Sequence, residues 1–157
     1  MENLPATITS GLTERYGTLA PRVCELAAPL TEEQFWHKPF PFGNSFGHLV
    51  LHLTGNLNYY IGAQIAGTGY VRDRELEFTE TRHLPKEEVL KRFDGAIEVV
   101  LRTVRAQSAE EWSASYTAVG AGNVRSRFQM VLQCAAHMDH HLGQIIYLCF
   151  ELNRPRT

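Results

Sequence analysis

Apolar side chains recur every three to four residues in four long segments of the chain, as they do along one face of an α-helix. The first segment runs from about residue 6 to 28, and the second begins at Asn44 or Ser45 and continues to about residue 66. The third runs from Pro85 to about residue 107, and the fourth from about residue 124 to 151. No segment shows sustained strand alternation, so the pattern predicts an all-α fold, a four-helix bundle.

Local signals refine these elements. Pro21 lies inside the first segment and predicts a kink or a break, because proline removes a backbone hydrogen bond and clashes with the preceding turn. Thr31 is predicted to cap a short helical turn between the first two long helices. The fourth helix is predicted to contribute seven residues to the core: Phe128, Val131, Leu132, Ala135, Ile145, Leu148 and Leu152.

The link between the second and third helices is long enough to set the topology. Residues 67–84 lack clear periodicity and, fully extended, would span about 60 Å. A helix of about 22 residues is only about 33 Å long, so the link can run the whole length of the bundle. The second and third helices can then lie parallel, which permits an up-down-down-up arrangement.

Composition narrows the class of protein. A chain of 157 residues fits one domain, which we place at residues 1–157. The net charge of −2 and the lack of a lysine or arginine run argue against nucleic acid or a membrane surface as partner. No stretch approaches about 18 consecutive apolar residues, and the N-terminus lacks the features of a signal peptide. Together with three widely spaced cysteines, these features predict a cytoplasmic protein with reduced thiols.

Histidines are the candidate chemistry. His137 and His141 are four residues apart on the apolar side of the fourth helix, so both can point at one metal ion. His48 and His52 repeat this spacing on the second helix, whereas His140 lies about 100° away from His141. Core histidines with hydrogen-bonded ring nitrogens would explain the same pattern, so the spacing alone leaves a metal site and a polar core both open.

The motifs that contain these histidines resemble a known family. "NSFGHLVLHLTGN" and "HMDHHLGQI" are similar to segments of the DinB/YfiT-like superfamily of small metal-binding four-helix bundles. In the first motif Ser45 starts a helix and His52 follows seven residues later. In the second, His137 and His141 form an H-x-x-x-H pair that precedes Gly-Gln. The resemblance extends in order over nearly the whole chain, and "RDRELEF" is similar to a segment of one branch of the family.

The resemblance implies a metal site with three ligands, His52, His137 and His141. Water or substrate would complete the coordination sphere. Three neutral imidazoles and an open position suit a divalent transition metal, Zn²⁺ or Ni²⁺ first and also Fe²⁺ or Mn²⁺. His48 and His140 lie outside the family motif, so the resemblance gives them no role in the site.

The resemblance also implies an activity. The superfamily includes S-transferases and isomerases that use low-molecular-weight thiols such as bacillithiol or mycothiol. We therefore expect a metal-dependent S-transferase that joins such a thiol to a small-molecule substrate. A metal-dependent hydrolase, or a metal-binding stress-response module without turnover, are the alternatives, and whether the chain is an enzyme stays open at this point. Family members often form homodimers, and Tyr147 and Phe150 offer apolar surface for one.

Four further residues are candidates to support the metal or bind substrate. Asn56 lies one helical turn after His52 and is predicted to bond a ligand histidine or a substrate, although a solvated side chain fits the spacing equally well. Arg72, Arg74 and Glu77 are predicted to form a rim that recognises the carboxylates of a thiol. The alternative for these three residues is a salt-bridged clasp within the loop.

Overall fold

Four long helices carry the apolar stripes that the sequence predicts. The computed structural model describes residues 3–155, and every regular element in that range is helical, so the predicted all-α fold is confirmed. The elements are α1 (Leu4–Ala27), α2 (Glu32–Trp36), α3 (Phe46–Leu57), a π-helical segment (Asn58–Ala63), α4 (Leu76–Thr79), α5 (Lys86–Ala106), α6 (Ala109–Ser113) and α7 (Arg127–Leu152). No helix between residues 3 and 155 is long and apolar enough to cross a membrane.

Side-chain caps fix where the helices that carry the site begin. The Oγ of Ser45 accepts a hydrogen bond from the backbone N–H of His48 at the start of α3. Ser126 caps α7 in the same way through the N–H of Gln129. Thr31 forms a capping box with Gln34 at the start of α2, as predicted. Each such cap is worth about 1 kcal/mol, and together they set the register of the histidines that follow.

The four long helices surround one core. α1 packs against α5 and α7, and α3 packs against the same two helices from the opposite side. Aromatic and sulfur-containing side chains fill much of the space between them, including six that are almost wholly buried: Tyr16, Phe35, Phe46, Phe93, Met130 and Met138. The hydroxyl of Tyr16 donates to the backbone oxygen of Val131 at 2.8 Å, so this buried polar atom is satisfied.

Contacts at one end of the bundle indicate how the helices run. Lys86 at the start of α5 donates to the carbonyl of Leu30, just beyond the end of α1. Near the end of α7, the thiol of Cys149 contacts the carbonyl of Leu26 in the last turn of α1. Phe46, the first residue of α3, packs against the ring of Phe35 in α2. We interpret these contacts as the up-down-down-up order.

The sequence predicted a kink or a break at Pro21, and the structure shows that the helix does not break there. α1 is one helix through Pro21. Proline takes the place of the N–H that would bond the carbonyl of Gly17, and both residues lie on the exposed side of α1. Because water can satisfy that carbonyl, the helix continues past the proline.

The second and fourth helices also depart from their predicted form. The second helix is α-helical only to Leu57 and then widens into the π-helical segment, where the N–H of Gln64 bonds the carbonyl of Tyr59. Apolar spacing does not separate an α turn from a π turn, so the sequence predicted one continuous helix. Leu132 of α7 is 49% exposed, so the prediction that it belongs to the core is wrong, because apolar spacing does not show which part of a helix face is covered.

Candidate metal centre

Three histidine rings converge where α3 and α7 pack together. The Nε2 atom of His137 lies 3.1 Å from Nε2 of His52 and 3.0 Å from Nε2 of His141. Each of the three rings contributes one nitrogen atom to a group in which all the atoms lie within 4.8 Å of one another. The structure thus brings together the three side chains that the family resemblance implied. Two of them, His52 on α3 and His137 on α7, lie 85 residues apart in the sequence.

The geometry of the two helices explains this convergence. His137 and His141 are one turn apart on α7, so their rings lie on the same face of the helix and meet edge to face, with centroids 4.4 Å apart. His52 approaches both from α3, with ring centroids at 4.9 Å and 4.8 Å. His52 is buried, whereas the two histidines of α7 are partly buried. The cluster therefore sits at the inner edge of the bundle and is reached from one side.

Hydrogen bonds outside the cluster fix which ring nitrogens face inward as acceptors. Nδ1 of His52 donates to Oε2 of Glu77 at 2.8 Å, and Nδ1 of His141 donates to Oε1 of Gln144 at 2.7 Å. In the neutral form an imidazole carries one proton, and with that proton on Nδ1 each ring turns an Nε2 lone pair toward His137. This is the arrangement in which histidine binds a metal, with the second nitrogen held by a carboxylate or an amide oxygen.

Arg72 holds the carboxylate of Glu77 in place. Its Nε donates to Oε1 at 2.6 Å, and a terminal nitrogen donates to Oε2 at 2.8 Å, so the pair is bidentate. Burial alone would raise the pKa of Glu77, but the hydrogen bonds from Arg72 and His52 outweigh it and lower the pKa. Glu77 is therefore ionised and can only accept, which confirms the direction of its bond with His52.

Gly55 makes the approach of Glu77 to α3 possible. A Cβ atom at position 55 would lie 1.9 Å from Oε1 of Glu77 and 2.7 Å from its carboxyl carbon. Glycine in the middle of a helix costs about 0.5–1 kcal/mol relative to alanine. Gly55 lies three residues after His52, in the turn of α3 that the carboxylate of Glu77 covers, so the lack of a side chain there leaves room for that carboxylate.

The protonation equilibrium of the α7 histidines also favours neutral rings. Burial, and after it the neighbouring His141 and His52, lower the pKa of His137 to about 3. Burial is also the largest cause of the lowered pKa of His141, although the bond to Gln144 opposes it. Both rings are thus neutral at pH 7, as metal ligation requires.

The donor set fits a metal ion better than a polar core. Two inward lone pairs, on His52 and His141, face a single ring nitrogen of His137, which has at most one proton to give. Nitrogen ligands of a tetrahedral Zn²⁺ ion, each about 2.0–2.1 Å from the metal, lie about 3.3 Å apart, close to the two separations observed. A metal would satisfy all three nitrogens at once. Nδ1 of His137 finds no hydrogen-bond partner within residues 3–155.

Two histidines near the cluster stay outside it. His48 is buried, and its Nε2 donates to the carbonyl of Glu80 at 2.9 Å while its Nδ1 lies 2.6 Å from the hydroxyl of Ser45. His48 is therefore a satisfied core histidine. His140 is exposed on α7, and its Nε2 lies 3.4 Å from the side-chain nitrogen of Gln144. Its ring lies beside that of His141, with centroids 5.1 Å apart, but it does not belong to the group of three converging nitrogens. Of the two histidines spaced i,i+4 on α3, His52 therefore belongs to the cluster, and His48 holds the backbone at Glu80.

The comparison with known families agrees with this geometry. A sequence model described as the DinB superfamily matches residues 18–145, which is most of the chain. The chain belongs to the DinB superfamily. Among curated proteins, none matches it. The match spans α1 to α7 and includes all three histidines of the cluster, so the family assignment and the three-histidine group both fit a metal-binding protein.

This DinB-superfamily chain has an open cavity beside the histidines. Its volume is about 670 Å³, and His52 and His137 form part of its wall. Tyr59 and Tyr60, from the π-helical segment, line the cavity one turn beyond α3. Gly120 has φ +81, and a Cβ there would lie 2.7 Å from the hydroxyl of Tyr60, so the loop before α7 closes tightly over this wall. The cavity suits a small molecule that reaches the histidines from outside the core.

The four candidate supporting residues divide into two groups. Arg72 and Glu77 form the ion pair behind His52, which is the loop clasp that the sequence left as an alternative, with an added bond to the histidine. Asn56 and Arg74 both line the cavity. Asn56 makes no hydrogen bond to His52, which lies one turn before it. The substrate-binding roles of Asn56 and Arg74 stay predictions.

Sequence reasoning missed the part of Gly55 and of Gln144. A glycine inside a strongly apolar helix, three residues after a candidate ligand, is a signal of close approach by another group. Gln144 lies three residues after His141, a spacing that places two side chains on the same helix face. Both signals were present in the sequence.

Proposed function

We propose that this protein binds one divalent transition metal ion through Nε2 of His52, His137 and His141 and catalyses transfer of a low-molecular-weight thiol to a small electrophile. The observation that carries the proposal is the arrangement of the three Nε2 atoms, two of which present lone pairs because Nδ1 is engaged elsewhere. A bound ion of this kind would lower the pKa of a coordinated thiol or water molecule and so supply a nucleophile at neutral pH.

The residues around the histidines have defined tasks in this proposal. Glu77 accepts the Nδ1 proton of His52, which orients the ring and makes Nε2 more basic. Arg72 keeps Glu77 ionised and immobile through two hydrogen bonds. Gln144 accepts the Nδ1 proton of His141 and orients that ring, as Glu77 orients His52. Because Gln144 is neutral, Glu77 beside His52 is the carboxylate that bonds a histidine of the described cluster.

The lining of the cavity favours a thiol over water as the nucleophile. Among the described residues that line it, none is Asp or Glu, so no carboxylate faces the cavity as a general base for water. The carboxylate of Glu77 is bonded to Arg72 and His52 and does not line the cavity, so it is not placed to act as a general base. A thiol needs less assistance, because its ordinary pKa of about 8.5 is already close to neutrality.

The protein's own cysteine beside the cavity does not supply the thiol. Cys134 is 1% exposed, and burial raises its pKa to about 12. At pH 7 it is a protonated packing residue, and a thiol of such pKa is a poor nucleophile. The reactive thiol therefore enters as a substrate.

A conjugation assay tests the proposal. Monochlorobimane is supplied as electrophile, with bacillithiol, mycothiol, glutathione and coenzyme A in turn. We expect the metal-loaded protein to accelerate at least one conjugation, and the chelated protein to lose the acceleration while its helical circular dichroism persists. As the pH is raised, the conjugation rate should reach its plateau at a pH below the free thiol's pKa of about 8.5.

His141→Ala and His140→Ala form a matched pair for this assay. Both remove a histidine from the same turn of α7, but only His141 belongs to the cluster. We expect loss of the acceleration in the first variant and retention in the second. Equal rates for metal-loaded and chelated protein with all four thiols would overturn the transferase proposal.

A further inference from the structure

The cavity beside the histidines carries a positive charge without a counter-charge of its own. Arg72 and Arg74 line it, and none of its described lining residues is acidic. Arg72 is neutralised by Glu77 behind His52. Arg74 is exposed and has no carboxylate within 4.0 Å among residues 3–155. One arginine of the cavity is thus available to an anion from outside.

Arg74 is close to the histidine cluster. Its guanidinium lies 5.5 Å from the centroid of the Phe78 ring, and this ring lies 4.7 Å from that of His52. One aromatic ring therefore links the arginine to the cluster. A molecule with an anionic group on Arg74 and a reactive group at the histidines need only be small.

Asn56 is the second group that awaits a partner. It is 7% exposed, lines the cavity, and its Oδ1 has no hydrogen-bond partner within the described part of the chain. A buried amide without a partner costs about 1–3 kcal/mol. A ligand that offers a hydrogen-bonding group at this depth would remove that cost, because the side-chain amide can both donate and accept.

We propose that the cavity binds a small molecule that carries a carboxylate, with the carboxylate paired to Arg74 and a polar group of the same molecule bonded to Asn56. Arginine binds carboxylates through two parallel hydrogen bonds, which gives orientation as well as affinity. The inference deepens the proposed function, on which it rests only for the chemistry at the histidine end. It assigns a substrate class to that site, namely carboxylate-bearing thiols or electrophiles.

Two pairs of probes measure the preference for a carboxylate by isothermal titration calorimetry. Zinc-loaded protein is titrated with 3-mercaptopropionate and with 3-mercapto-1-propanol, which share the thiol and differ in charge. Metal-free protein is titrated with succinate and with succinamide, which need neither metal nor thiol. We expect the charged member of each pair to bind more tightly, on the order of 10-fold, the scale of one charge-assisted hydrogen bond.

Arg74→Gln should remove most of that preference in both pairs. Arg102→Gln is the matched control. Arg102 is exposed on α5 and lies outside the cavity lining, and its substitution changes the net charge by the same amount as Arg74→Gln. The control should keep the preference of the wild type. An equal loss in both variants would mean that only the overall charge matters, and would overturn the assignment of Arg74.

Asn56→Leu separates binding from packing. Because the amide makes no bond that the change would break, we expect no decrease in the free energy of unfolding, whereas affinity for 3-mercaptopropionate should fall several-fold. Lower stability with unchanged affinity would show that Asn56 has a structural role only.

The two probe pairs also distinguish this inference from the proposed function. If both thiols bind with equal affinity and succinate binds no better than succinamide, the carboxylate proposal is overturned while the thiol proposal stands. If neither thiol binds but succinate is preferred and Arg74→Gln removes the preference, the thiol proposal fails while the anion site stands.

Discussion

Glu77 accepts a hydrogen bond from Nδ1 of His52 at 2.8 Å, although the two residues lie 25 positions apart on different helices. The bond turns Nε2 of His52 toward His137, and Arg72 holds the carboxylate that makes it. The loop between α3 and α5 thus reaches back to the candidate metal centre and helps to define it.

Replacing Glu77 by Gln should weaken metal binding roughly 10–100-fold, the usual effect of removing the partner of a ligand histidine. The neutral amide has nearly the same shape but accepts a weaker hydrogen bond and no longer pairs with Arg72. Competition with a chromophoric chelator measures the dissociation constant. Glu75→Gln, an exposed residue of the same loop, is the control and should leave the constant unchanged. Equal affinities for Glu77→Gln and wild type would contradict the account.

Gly55→Ala should weaken metal binding by the same route. The new Cβ would lie 1.9 Å from Oε1 of Glu77, so the carboxylate has to move away from His52. Gly95→Ala is the matched control, since no atom beyond its own helix backbone and chain neighbours lies within 4 Å of a Cβ there. The control should gain about 0.5–1 kcal/mol in the free energy of unfolding and keep its metal affinity. If both variants bind metal like the wild type, Glu77 does not depend on the space at position 55.

His48 should make the metal-free protein less stable at low pH. Burial lowers its pKa despite the opposing hydrogen bond to Glu80, so the unfolded chain takes up a proton below about pH 6.5 before the folded chain does. The contribution of His48 is therefore complete about one pH unit above 6.5 and is lost as the pH falls through and below that value. Urea denaturation across pH 5–8 should show a shallower fall in the free energy of unfolding for His48→Gln than for wild type.

The difference between these two proteins should be constant above about pH 7.5, where His48 is neutral in both states. Parallel curves over the whole range would mean that His48 does not contribute to the pH dependence.

Tyr147 and Phe150 should mediate a homodimer. Their side chains are 75% and 74% exposed on one side of α7, and exposed aromatic surface of this kind is typical of an interface. Light scattering should give about twice the 17.8 kDa of one chain, and the Tyr147→Glu/Phe150→Glu double variant should give the monomer mass. Val119→Glu is the control, because Val119 is also strongly exposed, at 86%, but lies in the loop before α7. A wild-type monomer at concentrations well above micromolar would rule out the dimer.

Local signals in the sequence predicted much of the fold. Ser45 and Thr31 cap their helices through atoms three residues away, and periodicity identified all four long helices. These features depend on neighbours along the chain, which a sequence displays directly. Leu132 and the π-helical segment were mispredicted because burial and helix width at those positions depend on what packs alongside.

The candidate site was predictable only in part. Spacing gave the pair on α7, and the family resemblance selected His52 rather than His48. The bond from His52 to Glu77 could not be derived, because it depends on how a link without periodicity folds back on α3. The pairing of Arg72 with Glu77 has the same origin, so which charged residues face the cavity became clear only in three dimensions.

Metal content is the most direct test of the central claim that His52, His137 and His141 hold one metal ion. Protein produced without an affinity tag, together with single alanine variants at these three positions and at His48 and His140, is measured by inductively coupled plasma mass spectrometry. The account predicts about one equivalent of a divalent transition metal in the wild type, strong loss in each of the three cluster variants, and retention in His48→Ala and His140→Ala. A wild type without metal after incubation with Zn²⁺, or loss in His48→Ala with retention in His52→Ala, would contradict it.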